Sequence, residues 1–213
     1  MKRVKILVEG QTEEAFVNEL LVPHYARIGI YLTPIIASTS PGHKGGVVSY
    51  GQVRRQIERL CRQDETALIT TMFDLYALPT DFPGRNADGW RQLRCGADKA
   101  AMIEQAMSLD LGLSNFLPYL QVHEFEALLF VAPEHFATWA DTAVVQRLTL
   151  AIEPEAINDG PQTAPSKRIK AAMPGYQKPL HGPLIACDIG LDAMRARCPH
   201  FANWLACLDA LKA

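Results

Sequence analysis

Two carboxylates stand where an α/β protein most often places its chemistry. Glu9 follows the apolar run 4–8, and Asp74 follows the apolar run 67–73 (ALITTMF). Ligands of open α/β sheets bind outside the carboxyl ends of the strands, so both acids lie at such ends. If the two strands are neighbours, the carboxylates converge and repel one another unless a cation lies between them. Ligation by oxygen alone suits Mg²⁺ or Mn²⁺. Such an ion activates water and offsets charge on a phosphate in transfer. Each acid taken singly is also what a solvated turn residue would be; the pair at corresponding strand ends favours a site. His123-Glu124-Phe125-Glu126 adds further acids where a strand gives way to a helix. Glu124 and Glu126 read either as further metal carboxylates or as acids favoured by the helix dipole, and spacing leaves both readings open. His123 has the type of a general base or ligand, and equally of a hydrogen-bonded structural residue.

Positive charge is locally concentrated in two places, 165–178 and the Lys44 loop with the helix that it leads into. The segment 165–178 (PSKRIKAAMPGYQK) holds Lys167, Arg168, Lys170 and Lys178 with no acid. Read as a loop on the rim of the Glu9 cleft, it offers Lys167 or Arg168 to a nonbridging phosphate oxygen. Lys44, in GHKGG (42–46), is a second candidate, although that run lacks the spacing and the terminal Ser or Thr of a P-loop. Arg54, Arg55, Arg59 and Arg62 are interleaved with Glu58 and read as a solvated helix face. Other chemistries lack their signatures, since there is no GxSxG, HExxH or GxGxxG after the first strand.

The elements that must position these residues follow from apolar periodicity and from Gly and Pro. Strands are expected at 4–9, 31–37, 67–73 and 116–122, with Pro34 favouring an edge for the second. Helices are expected at 13–28, broken or kinked by Pro23, then at 50–63, 97–108 and 191–211. Thr12 is positioned to cap the first of them. A further helix begins in HEFEALLF, where Phe125, Leu128, Leu129 and Ala132 recur at helical spacing. The stretch 79–95 reads as a long irregular loop, and loops of that length are often functional. Alternating strands and helices predict an α/β fold with a mainly parallel central sheet flanked by helices. Residues 1–131 form that core, and 132–213 form a mainly helical extension packed on it as one compact unit.

The 213 residues include 48% hydrophobic and 21% charged, as in an ordinary globular protein. A formal charge of −2 shows no global basicity, so any nucleic-acid contact must come from a local patch. The five cysteines are scattered without a CxxC pair, which predicts reduced thiols and a cytoplasmic location. The apolar run near the N-terminus is too short for a signal peptide or a membrane span.

The segments VEGQTEEAFV (8–17), FDLYALPTDFPG (73–84), QVHEFEALLF (121–130) and PSKRI (165–169) resemble the family known as domain of unknown function 4276, a relative of the Toprim fold. The resemblance implies a Toprim-like (Rossmann-like) core. Toprim domains, found in topoisomerases, primases and overcoming-lysogenization-defect nucleases, place a Glu after the first strand and Asp-x-Asp after a later one. They bind Mg²⁺ in phosphodiester transfer or cleavage. Glu9 matches the first acid and Asp74 the second, while Tyr76 stands where the next Asp would be. Glu124 or Glu126 would have to replace it. The implied function is a Mg²⁺-dependent (or Mn²⁺-dependent) nuclease or phosphodiester-processing protein of a phage-defence or mobile-element system. Its partners would be nucleic acid and other defence proteins, with no membrane. The alternative is a catalytically degenerate binding or regulatory subunit, which a salt-bridged Asp74 would favour.

Overall fold

The computed structural model describes residues 1–38, 49–76, 78–149, 152–157, 160 and 162–212. At its centre β1 (Lys2–Val8) pairs in parallel with β2 (Ile30–Ile36) and β3 (Leu68–Asp74). On the far side β3 pairs in parallel with β4 (Phe116–Leu117) and β5 (Leu120–Gln121). The order is β2-β1-β3-β4, so β2 is an edge strand and tolerates Pro34.

This order sets the location of the site. The chain leaves β1 through α1 (Gln11–Phe16) and α2 (Val22–Ala26), whose Phe16 and Tyr25 share one apolar cluster with Val4, Ile6 and Val8. It returns to β3 through α3 (Tyr50–Gln63), which packs with α4 (Gly96–Leu111) and Leu7 in a second cluster on the opposite face. Successive crossovers therefore lie on opposite faces, and the winding reverses between β1 and β3. A crevice opens at the carboxyl ends of two strands that part in this way. Glu9 and Asp74 flank it.

The C-terminal part adds α5 (Thr142–Leu148), α6 (Pro165–Ala172), α7 (Lys178–Ile189), α8 (Leu191–Arg197) and α9 (Pro199–Asp209). Ile169, Ile185, Met194, Phe201 and Leu205 of these helices are buried in the same cluster as α1. The approach of α7 is close enough to require Gly182. A Cβ there would lie 2.9 Å from Phe125 Cε1 and 3.1 Å from the Tyr176 hydroxyl. Among the described residues no helix is long and apolar enough to cross a membrane.

Several local expectations are corrected. Pro23 does not break the first helix, because a π-helical turn at Val17–Leu21 precedes it and Pro23 falls in the first turn of α2. The backbone stays helical across Pro23, the wide π turn taking up the bond that proline cannot make. Gly10, not Thr12, holds the N-cap position of α1, and Thr12 is buried within the helix. The strand at 116–122 divides into β4 and β5 on either side of Pro118. The last helix divides into α8 and α9 at Pro199. Residues 125–131 form a 3₁₀ segment with every residue buried, so no exposed face existed for periodicity to report. Finally, 165–172 is helix and not loop.

Candidate functional site

Four carboxylates and one ammonium meet at the β1–β3 crevice. Asp74, the last residue of β3, turns into the α1 and α7 side of the sheet and is 7% exposed. Its Oδ1 accepts from the Phe125 N–H at 2.8 Å, and its Oδ2 accepts from Lys178 Nζ at 3.1 Å. Glu9, one residue beyond β1, accepts from the Asp74 N–H through Oε2 at 3.2 Å. Glu13, in the first turn of α1, has an oxygen 3.4 Å from Lys178 Nζ. Glu126, in the 3₁₀ segment, has Oε2 3.2 Å from the same nitrogen. Lys178 thus bridges Glu13, Asp74 and Glu126 from the start of α7, with its side chain still 30% exposed.

One ammonium does not neutralise four carboxylates in so dry a place. Burial pushes the Glu9 carboxyl up to about 8, and the charges of Asp74 and Glu13 push the same way. Burial likewise raises Glu13, with Asp74 adding to it. Glu126 is raised to about 7 by burial, against the opposing pull of Lys178. For Lys178 burial works to lower the pKa, but Asp74, Glu126 and Glu13 together outweigh it and hold the amine protonated. Both Glu126 oxygens are buried without a hydrogen bond, the contact to Lys178 being an ion pair outside hydrogen-bond geometry.

The donor chemistry fits a hard divalent ion: all ligands are oxygen, negative charge is in excess, and two Glu126 lone-pair sets are unspent. Lys178 stands where the acids converge. Among the described residues no group of three His, Cys, Asp or Glu side chains is already arranged around a metal position. An ion would enter as Nζ gives way.

The crevice gathers Glu9, Asp74 and Glu126 of the expected site residues. Glu124 lies beside it, close enough for its charge to raise Glu126, with its oxygens engaged elsewhere. Its two oxygens accept from the Ser166 N–H and the Ser166 hydroxyl, each at 2.9 Å, so it caps α6 from a distant part of the chain. That cap, with Pro165 at the first helical position, is why 165–172 is helical. Both Glu124 oxygens are thus committed to the α6 cap in this structure. Lys167 is exposed on α6, and Arg168 donates from Nε to the Thr163 carbonyl at 2.7 Å; neither pairs with a carboxylate of the crevice. Lys44 lies outside the described residues. His123 sets its Nε2 3.0 Å from the Glu155 carbonyl and serves structure. Tyr76 is half-buried and donates its N–H to the His123 carbonyl.

Sequence reasoning missed Glu13 and the central place of Lys178. Glu13 stands four residues after Glu9, but an acid in a helix's first turn has an ordinary explanation in the dipole. Lys178 was visible only as one cation of an acid-free segment.

A doubly wound parallel sheet with an acid cluster at its switch point defines the class of protein. The chain matches the sequence profile of "Domain of unknown function (DUF4276)" over residues 8–209, and it belongs to that family. No curated protein matches it. Among solved structures, the C-terminal region of the Burkholderia pseudomallei OLD protein is similar at 13% identity and a TM-score of 0.47, with 100% of each chain covered. The C-terminal region of the Xanthomonas campestris pv. campestris OLD protein is similar at 13% identity and a TM-score of 0.35, with 99% of this chain and 98% of that one covered.

Proposed function

We propose that this chain is a Toprim-like, Mg²⁺- or Mn²⁺-dependent phosphodiester-processing protein of the nuclease type, working in a phage-defence or mobile-element setting. The observation that carries the reading is the excess of buried carboxylate. Glu9, Glu13, Asp74 and Glu126 face a single ammonium at the switch point of the sheet. Burying unpaired acid costs stability, and such clusters with raised pKa values gather at functional sites. Glu9, Glu13, Asp74 and Glu126 would hold the ion, which when bound supplies an activated water and charge for a phosphate oxygen. The half-exposed Lys178 takes the phosphate-contact role expected of Lys167, donating from Nζ to a nonbridging oxygen. The Phe125 N–H fixes Asp74, and the Asp74 N–H fixes Glu9, so the two acids keep their orientation through substrate exchange.

A second reading, the degenerate binding or regulatory subunit, is favoured by the bond from Lys178 to Asp74 and by Tyr76 in place of a second acid. Calorimetric titration of Mn²⁺ and Mg²⁺ separates the two on wild type, Glu9→Gln and Asp74→Asn. Cleavage of single- and double-stranded DNA and RNA, beside thermal melts, completes the comparison. The enzyme binds metal and cleaves, and loses both in the variants while they stay folded. Equal cleavage by Asp74→Asn overturns the site. No binding and no cleavage by wild type leaves the binding module.

A further inference from the structure

We infer that the segment between β3 and α4, with the start of α4, is a binding surface for single-stranded nucleic acid. Trp90 is its stacking platform, and Arg85, Arg91, Arg94 and Lys99 are its phosphate contacts. This rests on the phosphodiester reading above and names where the strand lies.

In the segment 165–178 Lys178 is tied to acids and Arg168 to a backbone carbonyl, and the exposed Lys167 and Lys170 lie over no aromatic ring among the described residues. The 85–99 stretch sets unpaired cations against a tryptophan. Arg3, Arg54, Arg195 and Arg197 each pair with a carboxylate, whereas Arg85, Arg91, Arg94 and Lys99 form no such pair among the described residues. Asp88 and Asp98 in the same stretch leave the surface positive by two charges, four cations against two acids.

Trp90 gives the patch a direction. It rests against the apolar cluster beneath α3 and α4 while remaining partly exposed. Arg85 Cζ lies 5.1 Å from its ring centroid and Lys99 Nζ 6.0 Å. Both cations lie over the ring, so a base takes its face as the Arg85 guanidinium moves off to a flanking phosphate. Only an unpaired base presents that face, which selects a single strand over a duplex.

A cavity of about 440 Å³ continues from this patch, lined by Arg94, Cys95, Gly96, Lys99, His123 and Glu155. The Glu155 carboxylate is fully engaged by the His200 and Phe201 N–H groups, at 2.9 and 3.0 Å. His123 links the cavity to the crevice, because its carbonyl accepts from Tyr76 at 2.7 Å, two residues after Asp74.

Fluorescence polarisation of short labelled single strands of DNA and RNA tests this with the full chain in EDTA, where cleavage plays no part. Trp90→Ala should weaken binding about fivefold to a hundredfold, and Trp90→Phe, which keeps the packing, should retain most of it. Removing Arg85, Arg91 and Arg94 together should lower the log–log salt slope by about two. Removing Arg55, Arg59 and Arg62 from α3, an equal change in charge, should leave both affinity and slope within about twofold, and a duplex should bind more weakly than either strand. Equal losses from the two triple variants overturn the proposal, as does an unchanged Trp90→Ala, a duplex bound as well as a single strand, or no binding at all. Binding without cleavage would then refute the enzyme and spare this surface, and cleavage with Trp90→Ala unaffected would do the reverse.

Discussion

Lys178 Nζ lies 3.1 Å from Asp74 Oδ2, although 104 residues separate the two in the chain. The bond joins the end of the central β3 strand to the first turn of α7 and gives the crevice its only cation among the described residues. Replacing Lys178 by Met should destabilise the protein by on the order of 3 kcal/mol at pH 8, since buried acids lose their partner. The loss should shrink at pH 5, where Glu9 and Glu126 are protonated in the fold. Urea unfolding at the two pH values reads the difference. An equal loss at both would mean that the lysine acts through the packing of its stem.

The raised carboxyls predict an unusual pH profile. Glu9 at about 8 and Glu126 at about 7 keep protons in the fold that the unfolded chain releases near about 4.3. Stability is therefore full below that lower value and is lost as pH rises toward about 8. Melts in EDTA should fall by several degrees across the window, about 2–4 °C for each kcal/mol at this chain size. Glu9→Gln should flatten the slope. Saturating Mn²⁺ should oppose it, because an ion favours the ionised acids.

Glu124 is assigned to the α6 cap, and its removal separates that role from metal binding. Glu124→Ala should cost about 1–3 kcal/mol, as a charge-assisted cap with two bonds is lost. Mn²⁺ affinity should stay within about twofold of wild type, an order-of-magnitude expectation for a residue outside the coordination shell. Ser166→Ala should give a smaller loss, because the backbone N–H still reaches Glu124. A Glu124→Ala variant that melts normally but loses Mn²⁺ would return this acid to the metal set.

Gly182→Ala tests the seat of α7. Its methyl would meet Phe125 and the Tyr176 hydroxyl, neither of which has room to retreat in a buried cluster. Overpacking of this kind costs about 1–3 kcal/mol, read by urea unfolding. Because α7 carries Lys178, the variant should also shift the pH profile of stability. A melt indistinguishable from wild type would show that α7 moves freely on α1.

The elements legible in the sequence were those with a simple burial rule. β1 and β3 are buried on both faces toward their carboxyl ends, where Ile6, Leu7 and Val8 and then Met72 and Phe73 read as apolar runs, and α3 keeps a polar face that exposes its period. The convergence of Glu9 and Asp74 was legible because both follow strands that lie side by side in the sheet. Glu124 was not, since the group that claims it, Ser166, lies 42 residues away. Nothing local distinguishes a distant helix cap from a ligand. Lys178 was hidden for the same reason. The divisions at Pro118 and Pro199, by contrast, were written in the sequence, and the apolar periodicity around them concealed a rule that proline states plainly.

The π-helical turn at Val17–Leu21 carries a consequence for length variation in relatives of this chain. Such a turn is an α-helix holding one residue more than its hydrogen bonding needs. Deleting a residue there would restore regular winding and leave what lies beyond nearly in phase with what precedes it, whereas a deletion in the regular turns would rotate it by about 100°. Tyr25, whose hydroxyl donates to the Leu205 carbonyl at 3.2 Å, would keep its bearing on the C-terminal helix only in the first case. Single-residue deletions should therefore be better tolerated at Val17–Leu21 than in the turns on either side of it.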